Sequence, residues 1–358
     1  MAIRVDGQAL RSAIRYAGAK LRGSACGQIC TAGLPEGARE TTDSPQARAV
    51  LAVGRSCLGW PWSRLEASQA RLGVPVPEAT QWEQIEAVGD GASKVLAPRE
   101  HEAAQGALIL HDDTAGRLLA LRQENRALVA AAQAHGLSTP QDRTGMHTTA
   151  LVVKVGEHTA ILYDSSRRHA GENLQGLLDQ RAAGLAKPLA LSDALASHAL
   201  TNEAAVLRCH CLAHGRRKCS DLAEVFPHAC QVVLEVMSQV FDHDEQARKE
   251  PRSPEERLGD HQARSQPLMD GLKRWRDTPC DEHLVEPTST LGKAMGYRQR
   301  HGVPLTRFLS VPGAPLDHHL AERAVQLCIR QRTHARFFQS EHSAAIARGR
   351  TSLMATGL

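Results

Sequence analysis

Residues 1–45 are Gly-rich and weakly patterned, after which apolar residues recur at helical spacing and then give way to short unbroken runs. Over residues 46–95 the pattern is helical. SRLEASQARL is a short amphipathic segment that stops at Gly73, and GVPVP makes a rigid turn. EATQWEQIEAV then resumes helical spacing with Ala79, Trp82, Ile85 and Val88. Helix, tight turn, helix is the order of a DNA-reading motif, and equally the order of hairpins that touch no DNA. The pattern leaves both open.

From residue 106 the texture changes. ALILHDDT reads as a buried strand with acids at its tip. ALVVKVG and TAILYDSS are β-rich and form a hairpin around Glu157-His158. ENLQGLLDQRAAGL has helical spacing, PLALSDA is a second apolar run ending in an acid, and AAVLRCHCLAH is a fifth candidate strand. This order predicts a mixed α/β sheet, whose functional residues gather at strand ends. From Ser220 to about Arg307 the chain is mostly helical. The stretch DHDEQARKEPRSPEERLGDHQARSQ is polar enough to be a surface helix pair or a mobile excursion. After the turn VPGAPLD, with Asp317 as the expected N-cap, HHLAERAVQLCIRQR is helical again.

Composition narrows the class. The chain has 358 residues, enough for two or three domains, and 42% of them are hydrophobic. No apolar run reaches the length of a membrane span, and the first twenty residues lack a secretory apolar core. A cytoplasmic protein without membrane partners is the expectation. Nine scattered cysteines read as reduced thiols.

The net charge of +4 is modest, but the stretch from Arg330 to Arg350 carries five arginines and one acid, Glu341. Arg216-Arg217-Lys218 is a second basic knot. Both suit phosphate backbones, although charge alone favours solvated helix faces.

The acids at the strand ends are Asp112-Asp113 and Asp193, and Glu322 follows on a helix. Carboxylates converging in this way make a hard-oxygen site for Mg²⁺ or Mn²⁺. Two such ions can bind the attacking and leaving oxygens of an in-line phosphoryl transfer. Intervals of 81 and 129 residues do not by themselves select these acids over capping and surface carboxylates. Two sulfur clusters weigh less. Cys26 and Cys30 lack a second pair for zinc, and Cys209, His210, Cys211, His214 and Cys219 fit no standard zinc spacing. Cys209 and His210 also alternate across a strand and cannot face one ion together.

The ordered motifs resemble the insertion-sequence transposases of the IS66 family, a DDE group, from about Leu21 to the C-terminus. They are GVPVPEATQWE, HDDT, RHAGENL, LSDA, CLAHGRRK, EERL, EPTSTLGKA, GAPLDHHLAERA and SLMAT. The resemblance implies that Asp112, Asp193 and Glu322 are the triad, holding two Mg²⁺ or Mn²⁺ ions for DNA cleavage and strand transfer. It implies a ribonuclease-H-like core interrupted by a helical insertion. The expected layout is a zinc-ribbon remnant over 1–45, a helical DNA-binding region over 46–100, core strands over 101–220, the insertion over 221–310 and the glutamate-bearing helices over 311–358. Asp113 would shape the field of Asp112 or bind metal itself. His214, Arg216, Arg217, Arg323 and Arg332 would contact DNA, both terminal repeats and target. A homo-oligomer on DNA is implied as well.

The chain departs from the family pattern in several places. His318 and His319 stand where the family has two asparagines, and Arg332-Thr333-His334 stands for Arg-Lys-Asn. Thr288 replaces the asparagine of Glu-Pro-Asn-Ser. A Cys-x-x-Cys of the ribbon reads Gly23-Ser24-Ala25-Cys26, with one ligand missing, and its other half would precede Met1, so no zinc is expected. An impaired copy that binds DNA without cutting it is the alternative reading.

Overall fold

The computed structural model describes residues 10–36, 38, 42–135, 145–281, 285–335 and 338–356. Two short strands, β1 (Lys20–Arg22) and β2 (Ile29–Thr31), form an exposed antiparallel hairpin with Cys26 in its turn and Cys30 on β2. Three helices follow: α1 (Pro45–Ser56), α2 (Trp62–Arg71) and α3 (Glu78–Ala104). Pro45 opens α1, and the hydroxyl of Ser44 accepts the Ala47 N–H at 3.2 Å. Gly73, at φ 76°, ends the turn after α2 in the left-handed region that glycine enters without steric cost. The buried Gln81 amide donates to the carbonyls of Val76 (2.8 Å) and Trp62 (3.2 Å), so the α2–α3 corner is fixed from inside. Leu51, Leu65, Val76 and Ile85 fill the space between these helices.

The sheet is built from β3 (Leu108–Gly116), β4 (Met146–Val155), β5 (His158–Ser166), β6 (Leu189–Ser192) and β7 (Leu207–His210), in the order β5-β4-β3-β6-β7. β3, β4 and β5 pair antiparallel, and β6 and β7 run parallel to β3. Two helices lie among the strands, α4 (Leu119–Ala134) and α5 (Ala170–Leu178). Then come α6 (Leu212–Ser220), α7 (Pro227–Lys249), α8 (Pro254–Arg264), α9 (Gln266–Asp281), α10 (Thr290–Arg300), α11 (Gly302–Leu305), α12 (His319–Ala335) and α13 (Glu341–Thr356).

Alternation along the strands builds two cores. Leu110, Val152 and Leu191 face Leu212, Met237, Leu316 and Val325. Ile109, Leu151, Val153 and Ala190 face Leu96, Leu174 and Leu177. The sheet is thus covered on both faces, a layered α/β arrangement. α13 packs on β5 and on α3. No helix among the described residues is long and apolar enough to cross a membrane.

Several expectations are corrected. Asp112 and Asp113 do not end their strand. β3 continues to Gly116, because β4 pairs with it as far as Met146. α4, between β3 and β4, was not anticipated. The helix of the ENLQGLL segment stops at Leu178, and only 3-10 turns at 196–198 and 203–205 separate β6 from β7. AAVLRCHCLAH is strand only from Leu207 to His210, after which Cys211 caps α6. The very polar stretch around residue 250 forms the end of α7 and then α8, entered through a reciprocal cap between Ser253 and Glu256. At α12 the residue before the first helical one is His318. Asp317 stands one position earlier, with its Oδ1 accepting the His319 N–H at 3.3 Å.

Candidate active site

Adjacent strand residues leave opposite faces of a sheet, so Asp112 and Asp113 part company. Asp112 shares the face of Leu110, and Asp113 shares that of Ile109 and His111. Leu110 pairs with Leu191 on parallel β6, and the same register carried two residues on brings Asp112 level with Asp193. Asp193 stands just past the carboxyl end of β6. α12 packs across β3 and β4 and carries Glu322 in its first turn. The Tyr163 hydroxyl on β5 donates to the Ala324 carbonyl at 3.0 Å, and the Leu212 N–H donates to the Leu316 carbonyl at 2.8 Å. These bonds seat the start of α12 against both the sheet and the start of α6.

The three acids sit in different fields. Burial raises the Asp112 carboxyl to about 6, with the charges of Asp193 and Asp113 pushing the same way. The Asp113 N–H, which donates to Asp112 Oδ1 at 2.9 Å, and the charge of His198 oppose that rise. Asp193 is held below the usual carboxylate range. Burial pushes it up, but hydrogen bonding and charge from His198, the Leu195 N–H and the charge of His214 prevail. Glu322 is more open, and its Oε1 lies 3.7 Å from His214 Nδ1. His214 therefore stands between the Asp193 and Glu322 ends of the site.

His198 was not anticipated from the sequence. It lies on a 3-10 turn with no motif to mark it, is fully buried, and places Nδ1 2.5 Å from Asp193 Oδ1 and Nε2 3.6 Å from Asp113 Oδ1. Burial alone would lower its pKa, yet the two carboxylates carry it up to about 9. Asp113 also faces His169 Nδ1 at 3.6 Å and His147 Nδ1 at 4.0 Å, and accepts the Ala170 N–H at 3.3 Å. It is the hub of an imidazole cluster on the far face of the sheet.

The basic residues divide. Arg216 and Arg217 are exposed on α6, and Arg323 is exposed beside Glu322 on α12. Arg332 Nη1 donates to Thr114 Oγ1 at 3.0 Å and to the Ala115 carbonyl. The arginine-rich C-terminal stretch does not form one free basic face. Arg350 is buried, which lowers its pKa to about 10, and Arg348 pairs with Glu100 and, at 3.4 Å, with Asp164. Arg336 lies outside the described residues. A cleft of about 540 Å³ lies beyond the site, between Trp62, Trp82, Arg332 and Phe338, with none of the three acids in its wall.

The departures from the family pattern also have places. His319 Nδ1 bonds Asp317, and His318 is fully buried with its ring 5.2 Å from that of His214. Thr288 Oγ1 donates to Glu286 Oε1 at 2.5 Å, and Ser289 caps α10. The side chain of His334 lies outside the described residues.

Over 147 residues the chain is 31% identical to the uncharacterized protein y4jD of Sinorhizobium fredii (strain NBRC 101917 / NGR234). That overlap takes in 40% of this chain and 28% of the relative's length, so the chain spans well under two thirds of it. The description Transposase IS66 family matches from residue 41 to residue 346. With most of its length inside that match, the chain belongs to the IS66 transposase family.

Proposed function

We infer that the chain is a DDE transposase that cuts DNA at the ends of its insertion sequence and joins the freed 3′-hydroxyls to target DNA. The observation that supports the reading is the parallel register of β3 and β6, which extended past Leu191 brings Asp112 level with Asp193, while α12, with Glu322 in its first turn, packs across β3 and β4. The strand order, with three antiparallel strands followed by two parallel to the first, supports a ribonuclease-H-like core.

The donor set fits Mg²⁺ or Mn²⁺, being hard carboxylate oxygen throughout. Asp112 also fits, because its carboxylate is costly to ionise there unless a cation stands opposite. When bound, two such ions would activate water or a 3′-hydroxyl and neutralise the leaving oxygen. The protein's own groups orient the site. His198 pins Asp193, and His214 adjoins Glu322. Arg216, Arg217 and Arg323 would hold phosphates from the exposed faces of α6 and α12, as a dimer or larger assembly pairs two DNA ends.

The test is cleavage of DNA carrying the element's terminal repeats, with Mg²⁺. Asp112→Asn, Asp193→Asn and Glu322→Gln should each abolish nicking while leaving repeat binding intact. Specific binding without cleavage by the unmutated chain would instead favour the alternative, a DNA-binding copy without catalysis. That alternative draws on the His319 bond to Asp317, at a position where the family has an amide.

A further inference from the structure

We propose that Cys211, His214 and His318 form a binding site for one soft divalent ion, zinc by its chemistry, beside the carboxylate site and clamping the start of α12 to the start of α6. One sulfur and two imidazole nitrogens of these residues lie within 4.8 Å of one another. That donor set selects zinc over Mg²⁺ or Mn²⁺, which prefer oxygen.

Independent observations point to a ligand. His318 is fully buried, and neither of its ring nitrogens has a hydrogen-bond partner, nor does Nδ1 of His214. Buried polar atoms in folded proteins are almost always satisfied, so the two unpartnered ring nitrogens of His318 beside a thiol call for an occupant. Cys211 is buried at the N-terminus of α6, with the backbone N–H groups of His214, His318 and Ala213 against its sulfur. Burial pushes the Cys211 thiol up to about 11 against the pull of those N–H groups, so the free site holds the thiol, and its proton would pass to solvent as the sulfur took up an ion. The carboxylate of Glu322 adjoins the group, 3.7 Å from His214.

Sequence spacing argued against zinc because it considered only the residues around Cys211. Cys209 indeed points into the core. The third ligand comes instead from over a hundred residues downstream, brought in by the backbone bond from Leu212 to Leu316. An ion there would fix the helix turn that carries Glu322. The site does not depend on the DDE reading, since it needs neither Asp112 nor Asp193.

The experiment is a cobalt(II) titration of the full chain, in a Cys26→Ser/Cys30→Ser background that removes the exposed hairpin thiols. The expected result is one equivalent bound, with a sulfur-to-cobalt charge-transfer band and the intense visible bands of tetrahedral cobalt. Zinc should displace it. Cys211→Ser should remove the sulfur band. His318→Asn should weaken binding at least about tenfold, the scale on which metal sites respond even to lost supporting groups. Asp112→Asn should leave the spectrum unchanged, which also separates failure of this site from failure of the carboxylate site. A spectrum without the sulfur band in the Cys26/Cys30 background, or one that survives Cys211→Ser, would overturn the proposal. The background protein's own spectrum decides the matter even if a ligand variant misfolds.

Discussion

His198 Nδ1 lies 2.5 Å from Asp193 Oδ1, while the opposite nitrogen of the same ring lies 3.6 Å from Asp113. One buried imidazolium thereby joins the end of β6 to β3 and holds apart two carboxylates that would otherwise repel.

This bridge has a pH signature. The His198 pKa rises from 6.5 to about 9 on folding, so its contribution is complete below 6.5 and is lost as the pH rises through about 9. A shift of that size is worth on the order of 3 kcal/mol. In chelator, thermal midpoints of the unmutated protein should fall between pH 6.5 and 9, and His198→Gln should flatten that slope. An equal slope in the variant would remove His198 from the account.

Asp112 behaves oppositely. Its carboxyl is raised from 3.8 to about 6, so above pH 6 the folded state carries a charge that the unfolded chain tolerates better. Asp112→Asn should therefore stabilise the metal-free protein at pH 7 by roughly 1–3 kcal/mol, discounted for partial exposure, with the gain fading towards pH 4. Saturating Mg²⁺ should reverse the order of the melting temperatures, since only the aspartate gains from the ion. Calorimetry of the two proteins, with and without Mg²⁺, measures both signs.

Two glycines of α3 should respond in opposite directions. A Cβ on Gly89 would lie 2.7 Å from Ile346 Cγ2, where α3 crosses α13, whereas Gly91 faces open space. Gly91→Ala should gain up to about 1 kcal/mol of helix propensity. Gly89→Ala has the same gain but meets overpacking of about 1–3 kcal/mol, so it should come out destabilised. Denaturant midpoints of the pair, which share a helix and a substitution, isolate the packing effect.

Among the helices that follow β7, buried Asp244 receives Arg248 Nη2 at 2.6 Å, Arg257 Nη2 at 2.8 Å and His261 Nε2 at 3.3 Å. Burial raises its pKa, but these partners win and hold it below 3.8, so its contribution persists above 3.8 and is lost as the pH falls through the folded value. Asp244→Ala leaves three donors without an acceptor and should cost roughly 2–3 kcal/mol at pH 7, limited by the exposure of the two arginines. Urea melts at pH 7 and pH 3 should show the gap closing in acid.

Local pattern determined much of this protein. Alternation and apolar runs located β3 to β7, helical spacing located α2, α3 and α12, and ordered motifs identified the family. These signals are legible because side-chain periodicity and turn chemistry act over a few residues. What lay beyond that range was decided by the tertiary structure. Asp112 proved to lie within its strand rather than at its end, because β4 supplies partners out to Met146. Much of the arginine-rich C-terminus was taken up by the fold, because Glu100 and Asp164 approach Arg348 from distant segments. The pairing of His198 with Asp193, and of His318 with Cys211 and His214, rests on register and helix docking. No spacing along the chain encodes those meetings, since residues far apart in sequence become neighbours only when sheet order and layer packing bring their elements together.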